Sequence, residues 1–159
     1  MATTTALRPL DTHDCDAVFE MMADPAAVRM AAFTVPDPTD RAAFDTHMAK
    51  LLGNPAIRLF AIEEETAHLV GTISTFPGDG GPTEVTYWVE REHWGRGHAS
   101  RALALVMDQT GRPVVARVVV DNDASRRVLD KAGFRAVGTD RDFAHGRQAE
   151  VEEIILRLE

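Results

Sequence analysis

The sequence contains one cysteine, Cys15, among its 159 residues. This excludes a disulfide within the chain and any metal site built from several cysteines. A chain of this length can bury a full hydrophobic core, so it needs no such staple to fold. Cys15 lies between Asp14 and Asp16, whose negative charges disfavour a thiolate. We therefore expect an inert thiol and a reducing, cytoplasmic location.

Long apolar runs are also missing. No segment has the roughly 20 consecutive apolar residues of a membrane-spanning helix. The segment from Met1 to Ala6 lacks the charged start and the apolar stretch of a secretory signal. Internal repeats and Ser/Gly-rich linkers are absent as well. The sequence thus predicts a single domain over residues 1–159 and no membrane contact.

Positive charge is scarce, with 17 Lys and Arg against 25 Asp and Glu, for a net charge of -8. This balance disfavours nucleic acid as a partner. The charge is unevenly distributed, however. Between Arg91 and Lys131 there are eight basic and five acidic residues. A basic region in an acidic chain indicates an anionic ligand, and a chance surface distribution is the alternative.

Hydrophobic periodicity and turn residues predict strands that alternate with helices. In the first half the predicted elements are a strand at 3–10, a helix from Asp11 to about Met22, a short helix after Asp24-Pro25, a helix capped by Thr39 that ends at Gly53, and strands at 57–63 and 69–76. In the second half they are a strand at 84–90, a helix at 98–110, a strand at 114–120, a helix from Asn122 to about Ala132, a strand opening at Gly133, and a strand at 151–158. The strand–helix–strand unit at 84–120 requires parallel strands. The fold class is therefore α/β, with a mixed, mostly antiparallel sheet, one parallel junction and flanking helices.

A glycine-containing turn, W-G-R-G-H-A at 94–99, separates a predicted strand from a predicted helix. Glycines allow a tight turn that approaches a ligand closely. The helix start behind them offers unpaired N–H groups and the positive end of the helix dipole. Arg96 and His98 could add positive charge. This segment predicts a phosphate site, and a plain tight turn is equally compatible with it.

One phosphate hypothesis is a dinucleotide. Gly95, Gly97 and Ser100 imitate the fingerprint G-x-G-x-x-G, and Asp121 follows the next strand where an acid would hold a ribose. Ser100 replaces the third glycine, however, and the chain contains one strand–helix–strand unit. The dinucleotide hypothesis is therefore the weaker alternative.

The other hypothesis is coenzyme A, because the sequence resembles the GNAT superfamily of N-acetyltransferases. The family signature Q/R-x-x-G-x-G/A maps onto residues 94–99, with Trp94 in place of Gln or Arg. Residues 84–99 are most similar to the branch of ribosomal-protein N-terminal acetyltransferases, in which Trp is usual there. A second matching block is N-D-A-S-R-R-V-L-D-K-A-G-F at 122–134. The resemblance implies about seven strands, one splayed parallel pair and acetyl-CoA as co-substrate.

The resemblance also implies a cofactor site. The pantetheine arm would enter the splayed pair and contact backbone near Trp88 and Val89, and the pyrophosphate would lie on the amides of the glycine turn. A backbone N–H around Val89 would stabilise the oxyanion. Asn122 would hydrogen-bond the pantetheine as well as cap its helix. The residues assigned to cofactor binding are Trp88, Val89, Trp94, Gly95, Arg96, Gly97, His98, Ala99, Ser100, Asn122 and Ser125.

The catalytic side chains depart from the commonest family pattern. Many members carry a tyrosine seven residues after the Asn as the acid for the thiolate, and Leu129 stands there. Ser125 matches the acid proposed for the ribosomal-protein-like branch. A first-turn hydroxyl that contacts backbone is the alternative for Ser125. The general base is expected to be Glu84, near the predicted oxyanion site, or Asp142, where the resemblance to the ribosomal-protein-like branch implies an acid, with nothing in the sequence to separate them. His93 and His145 are further options for the base.

The sequence therefore predicts transfer of an acetyl group from acetyl-CoA to a primary amine, by direct attack in a ternary complex. The acceptor is a protein N-terminus or a small amine. A non-catalytic acyl-CoA-binding module is the alternative from another class, because the usual tyrosine is missing. No metal is expected, since the six histidines show no ligand spacing. Both a monomer and a homodimer fit the sequence.

Overall fold

A computed structural model describes residues 4–159, which form one seven-stranded sheet with helices on both faces. The strands follow the order β1-β2-β3-β4-β5-β7-β6 across the sheet. The strands are β1 Ala6–Pro9, β2 Arg58–Glu63, β3 Leu69–Pro77, β4 Thr83–Val89, β5 Val114–Val119, β6 Arg135–Ala144 and β7 Ala149–Leu158. The helices are α1 Cys15–Ala23, α2 Pro25–Ala31, α3 Arg41–Leu52, α4 His98–Met107 and α5 Asp123–Lys131, and 3₁₀ turns occupy Thr12–Asp14 and Arg91–His93.

The β4–β5 pair is the parallel junction of the sheet, and the other paired strands are antiparallel. Its two strands are paired at Thr83–Val114 and Glu84–Val115. Beyond these pairs the strands separate, which leaves a gap between the second halves of β4 and β5. The predicted α/β fold class, with one splayed parallel pair, is confirmed.

The two faces of the sheet are covered by different helices. On one face α4 and α5 pack through buried side chains such as Leu103, Val106 and Leu129. On the other face α1 and α3 pack through Val18 and Met48. Burial of a side chain of this size contributes about 1.5–3 kcal/mol. These two cores hold β4 and β5 in place although the strands barely pair with each other.

Of the four predicted caps, Asp24 and Asn122 begin α-helices as expected, whereas Asp11 caps the 3₁₀ turn before α1, which begins at Cys15, and Thr39 is not a cap. Asp24 accepts a hydrogen bond from the amide of Ala27 and precedes Pro25, as the sequence predicts. The start of α3 is capped by Asp40, which accepts from an amide in its first turn. The prediction of Thr39 as this cap is wrong, because its hydroxyl donates to Asp37 over 2.6 Å.

Element ends differ from the predictions by a few residues. The first predicted strand began at Thr3, which lies outside the described residues, and β1 begins at Ala6. Helix α4 ends at Met107 and not at Thr110, whose hydroxyl donates to the backbone of the last helical turn. Strand β7 begins at Ala149, two residues before its predicted start, because its pairing with β6 continues to the turn. No helix within residues 4–159 combines the length and the apolar character that a bilayer span requires.

Candidate active site

A cavity of about 650 Å³ occupies the gap between β4 and β5. Side chains of successive strand residues point to opposite faces of a sheet. The cavity is lined by Tyr87 and Val118, which face α4 and α5, and also by Trp88 and Arg117, which face the opposite side. The cavity therefore passes through the sheet and connects its two faces.

The glycine turn forms one end of this cavity. Gly95 and Gly97 adopt φ values of 78° and 81°, which is left-handed backbone that favours glycine. Helix α4 begins directly after Gly97, and within the described chain no side chain caps its start. The first amides of α4 are therefore available to an anion, and the helix dipole favours negative charge there.

Arg101 holds the glycine turn from behind. Its guanidinium donates to the carbonyl oxygen of Arg96 and to the Thr5 hydroxyl, both over 2.7 Å. Arg101 was not among the site residues predicted from the sequence. Its position one helical turn after Gly97 was the available signal, because residues four apart in a helix share a face. Arg101 fixes the turn, and the Arg96 side chain is exposed between two glycines that line the cavity.

The His98 side chain is fully buried beneath the turn, with Nδ1 2.9 Å from the Thr5 hydroxyl. Burial lowers the pKa of His98, and the nearby Arg101 charge lowers it further. The lowered pKa favours the neutral imidazole at physiological pH. The prediction that it adds positive charge for a phosphate is wrong, whereas its backbone at the start of α4 keeps the predicted position.

Trp94 ties the turn to the end of β4. Its indole Nε1 donates to the carbonyl oxygen of Val89 over 2.8 Å. The amide of Glu90 donates to Val70 in β3, and backbone groups alternate sides along a strand. The N–H of Val89 therefore faces the gap. Trp88 is paired through its backbone with β3, so it is the Trp88 side chain that reaches the cavity.

Two hydroxyl groups meet on the α5 side of the gap. The Tyr87 and Ser125 hydroxyl oxygens lie 2.6 Å apart. Burial raises the pKa of Tyr87 to about 12, and the hydrogen bond with Ser125 offsets part of this rise. Asn122 accepts a hydrogen bond from the Ser125 amide through Oδ1 and also lines the cavity. Leu129, at the usual tyrosine position, is buried in the core.

Several carboxylates lie close to Arg117 on the face of the sheet opposite α4 and α5. Its guanidinium donates to Glu84 over 3.1 Å and to Glu153 over 2.9 Å. Glu153 and Arg117 line the cavity. Neither Arg117 nor Glu153 was predicted from the sequence as a site residue. The available signal was that Arg117 is the one charged residue in an otherwise apolar strand. Asp142 lies on the edge strand β6, two strands away from β5, and accepts a hydrogen bond from its neighbouring amide.

The fold does not fit the dinucleotide alternative. That class requires a doubly wound parallel sheet, whereas the described sheet has one parallel pair. Asp121, the expected ribose ligand, instead accepts two hydrogen bonds of 2.8 Å from Arg147. This ion pair joins the end of β5 to the β6–β7 turn.

The sequence profile of the acetyltransferase (GNAT) domain matches residues 5–135. The chain belongs to the GNAT acetyltransferase family. A relative from Bacillus licheniformis, the uncharacterized N-acetyltransferase p20, is 27% identical over 156 residues, which covers 91% of this chain and 88% of the relative. This GNAT protein is therefore an acetyl-CoA-dependent N-acetyltransferase, and the predicted family and enzyme class are confirmed.

Solved structures share the fold of this GNAT acetyltransferase. Spermidine N-acetyltransferase from Vibrio cholerae, in complex with CoA and spermine, is similar with a TM-score of 0.79 and 18% identity, over 96% of this chain and 95% of that one. Ribosomal-protein-S5-alanine acetyltransferase from Vibrio fischeri is similar with a TM-score of 0.75 and 17% identity, over 97% and 92% of the chains. In both cases the similarity covers nearly the whole chain and shows a shared fold.

Proposed function

We propose that this GNAT acetyltransferase acts by direct attack of a primary amine on acetyl-CoA in a ternary complex, with the thioester held in the β4–β5 gap. One observation carries this proposal. The cavity runs from the glycine turn, through the sheet, to Arg117 and Glu153 on the opposite face. Donor and acceptor can therefore enter from different faces and meet between the strands, as a one-step transfer requires.

The cofactor would lie along the α4–α5 side of the gap. The free amides at the start of α4 suit the pyrophosphate, and the exposed Arg96 adds charge at the turn. The Asn122 amide group, whose oxygen already caps α5, is available to the pantetheine arm. Val89 offers its N–H within the gap. These assignments follow the predicted cofactor residues, except that the His98 side chain would add no positive charge for the pyrophosphate.

The reaction needs three groups from the protein: a stabiliser for the oxyanion, an acid for the thiolate and a base for the amine. The amine nitrogen attacks the thioester carbonyl, and the Val89 N–H stabilises the oxyanion, a contribution of about 3 kcal/mol to the barrier. The C–S bond then breaks, and the CoA thiolate takes a proton from the Ser125 hydroxyl. Tyr87, bonded to Ser125, replaces that proton from its own hydroxyl, and the resulting phenolate takes a proton from solvent before the next turnover. The proton that the amine loses passes to a carboxylate on the acceptor face.

Three carboxylates are candidates for that base. Glu84 and Asp142 are the predicted ones, and Glu153 joins them because it lines the cavity. Glu84 lies where β4 and β5 are still paired, so it would act through water. Asp142 would act as the base only with an acceptor that is long enough to reach β6. The position of Glu153 in the cavity wall makes it the strongest of the three.

The acceptor would bind beneath α2, where Met30, Phe33 and Trp88 provide an apolar wall next to Glu153. An apolar wall with an adjacent carboxylate suits an amine attached to an aliphatic or peptide chain. A protein N-terminus and a small amine both meet this description. We further propose one domain over residues 1–159 and a cytoplasmic location, supported by the single cysteine, with no nucleic acid partner, supported by the net charge of -8.

The first experiment is calorimetric titration of the purified protein with acetyl-CoA and, separately, with NAD. Saturable acetyl-CoA binding is then followed by a thiol-release assay with peptides, polyamines and free amino acids as acceptors. Turnover with peptides would identify an N-terminal acetyltransferase, and turnover with polyamines or amino acids a small-molecule enzyme. Tight acetyl-CoA binding without turnover on any amine would favour the acyl-CoA-binding module instead. Light scattering of the same sample separates a monomer from a homodimer.

A further inference from the structure

Two histidines and a glutamate meet beside the β4–β5 cavity, which His93 also lines, where the 3₁₀ turn after β4 approaches the β2–β3 hairpin. His68 directly precedes β3, Glu90 directly follows β4, and His93 is the last residue of the 3₁₀ turn. Glu90 Oε2 lies 3.2 Å from His93 Nδ1 and 3.6 Å from His68 Nε2. One ligand atom from each residue lies within 4.8 Å of the other two.

These separations fit a small transition-metal ion. Zinc bonds to nitrogen and oxygen of about 2.0–2.2 Å place the ligand atoms of a tetrahedral site about 3.4 Å apart. Both distances to Glu90 already match this spacing. Closing the site would require the two imidazoles to approach each other, and the His68 side chain, which is 57% exposed, is the one that would move.

His93 provides a second, independent observation. Its Nδ1 atom is buried and has no hydrogen-bond partner within residues 4–159, because the contact with Glu90 is not aligned as a hydrogen bond. A buried polar atom without a partner is unfavourable, and a bound ion would satisfy it. On the other side of the ring, Nε2 lies 3.7 Å from Glu64. A carboxylate behind a histidine is the usual outer partner that orients a metal ligand.

The donor set selects among ions. Two imidazole nitrogens and one carboxylate oxygen suit zinc, whereas magnesium and calcium prefer sites built from oxygen. We propose that His68, Glu90 and His93 form a zinc site with an open fourth position, which ties the segment between Val89 and the glycine turn to the β2–β3 hairpin. The six histidines show no ligand spacing along the sequence because His68, in the β2–β3 hairpin, and His93, in the 3₁₀ turn after β4, meet only in the fold.

The test uses the full chain without a polyhistidine tag, stripped of metal by a chelator and titrated with zinc chloride by calorimetry. We expect one zinc ion per chain. His68→Ala and Glu90→Gln should each weaken zinc binding at least about 10- to 100-fold. The matched control is His47→Ala, an exposed histidine on α3, which should bind zinc like the parent chain. Zinc should also raise Tm for the parent and not for His68→Ala, because a ligand stabilises only the state that binds it.

Three results would overturn the proposed zinc site or the choice of zinc. Absence of saturable zinc binding, or equal zinc affinity in the parent chain and His68→Ala, would overturn the site and leave a cluster of histidines paired with glutamates. Saturable magnesium binding with the same variant dependence would overturn the choice of ion. The measurement contains no acetyl-CoA and no acceptor amine. Failure of the zinc site and failure of the proposed transfer mechanism are therefore distinguishable.

Discussion

The hydroxyl of Tyr87, on β4, lies 2.6 Å from the hydroxyl of Ser125, in the first turn of α5. The two groups are 38 residues apart and meet at the edge of the cavity that passes through the sheet. Because the pKa of Tyr87 is raised to about 12, its phenol keeps its proton throughout the neutral range. The pair thus places a protonated phenol behind the serine, in a fold whose usual tyrosine position is the buried Leu129.

Loss of the Ser125 hydroxyl should slow protonation of the departing thiolate. We expect Ser125→Ala to lower kcat about 100-fold, in the range of a lost general acid, and Tyr87→Phe to lower it about tenfold. The double variant should be no slower than Ser125→Ala alone, because residues that act as a unit are not additive. Steady-state thiol release measures all three. If kcat stays within about twofold of the parent in every variant, water is the donor and the pair is structural.

A bulky side chain in the glycine turn should abolish acetyl-CoA binding. Gly97→Trp places a large group at a left-handed φ of 81°, where it also meets the Arg101 guanidinium. We expect acetyl-CoA affinity to fall beyond detection by calorimetry. Gly111→Trp is the matched control, since an added Cβ there meets no atom within 4 Å and the residue lies after α4. Retained acetyl-CoA binding in Gly97→Trp would move the pyrophosphate away from this turn.

The buried His98 should make the fold sensitive to acid. Burial lowers its pKa from 6.5, so the folded protein favours the neutral ring. This contribution to the free energy of unfolding is complete above the unfolded-state pKa of 6.5 and is lost as the pH falls through the lower folded-state pKa. Urea unfolding at pH 8 and pH 5 measures it. His98→Gln should be less stable at pH 8 but should lose less stability on acidification, while His47→Gln should follow the parent. An unchanged acid sensitivity in His98→Gln would contradict the assignment.

The three carboxylates can be separated by the kinetics of their variants. If Glu153 is the base, Glu153→Gln should lower kcat/KM about 100-fold. Glu84→Gln should have a smaller effect, through loss of its contact with Arg117. Asp142→Asn should leave kcat unchanged with a small acceptor and raise KM with a long peptide. A 100-fold loss in Asp142→Asn alone would assign the base to β6 and remove Glu153 from the mechanism.

The local parts of the site could be predicted from the sequence. Two glycines before an apolar-periodic segment define a tight turn at a helix start, and Asn122 caps α5 as its position predicted. The unit of β4, α4 and β5 imposes a parallel junction because a helix joins the two strands. Each of these features depends on neighbouring residues, so the sequence alone determines it. The Thr39 cap was predicted wrongly for a local reason too, since Thr39 and Asp40 are adjacent and both residue types can cap a helix. The sequence does not show which of the two side chains reaches the amides of the first turn.

Contacts between distant residues were decided only by the tertiary structure. Tyr87 meets Ser125, and Arg117 joins Glu84 to Glu153, only because strand order, register and splay place them together. The same holds for His98, whose neutral state follows from burial beneath the turn. Side-chain type and spacing specify which groups a chain can offer. Burial and proximity depend on the packing of whole elements, and these decide which groups meet and which protonation state each one keeps.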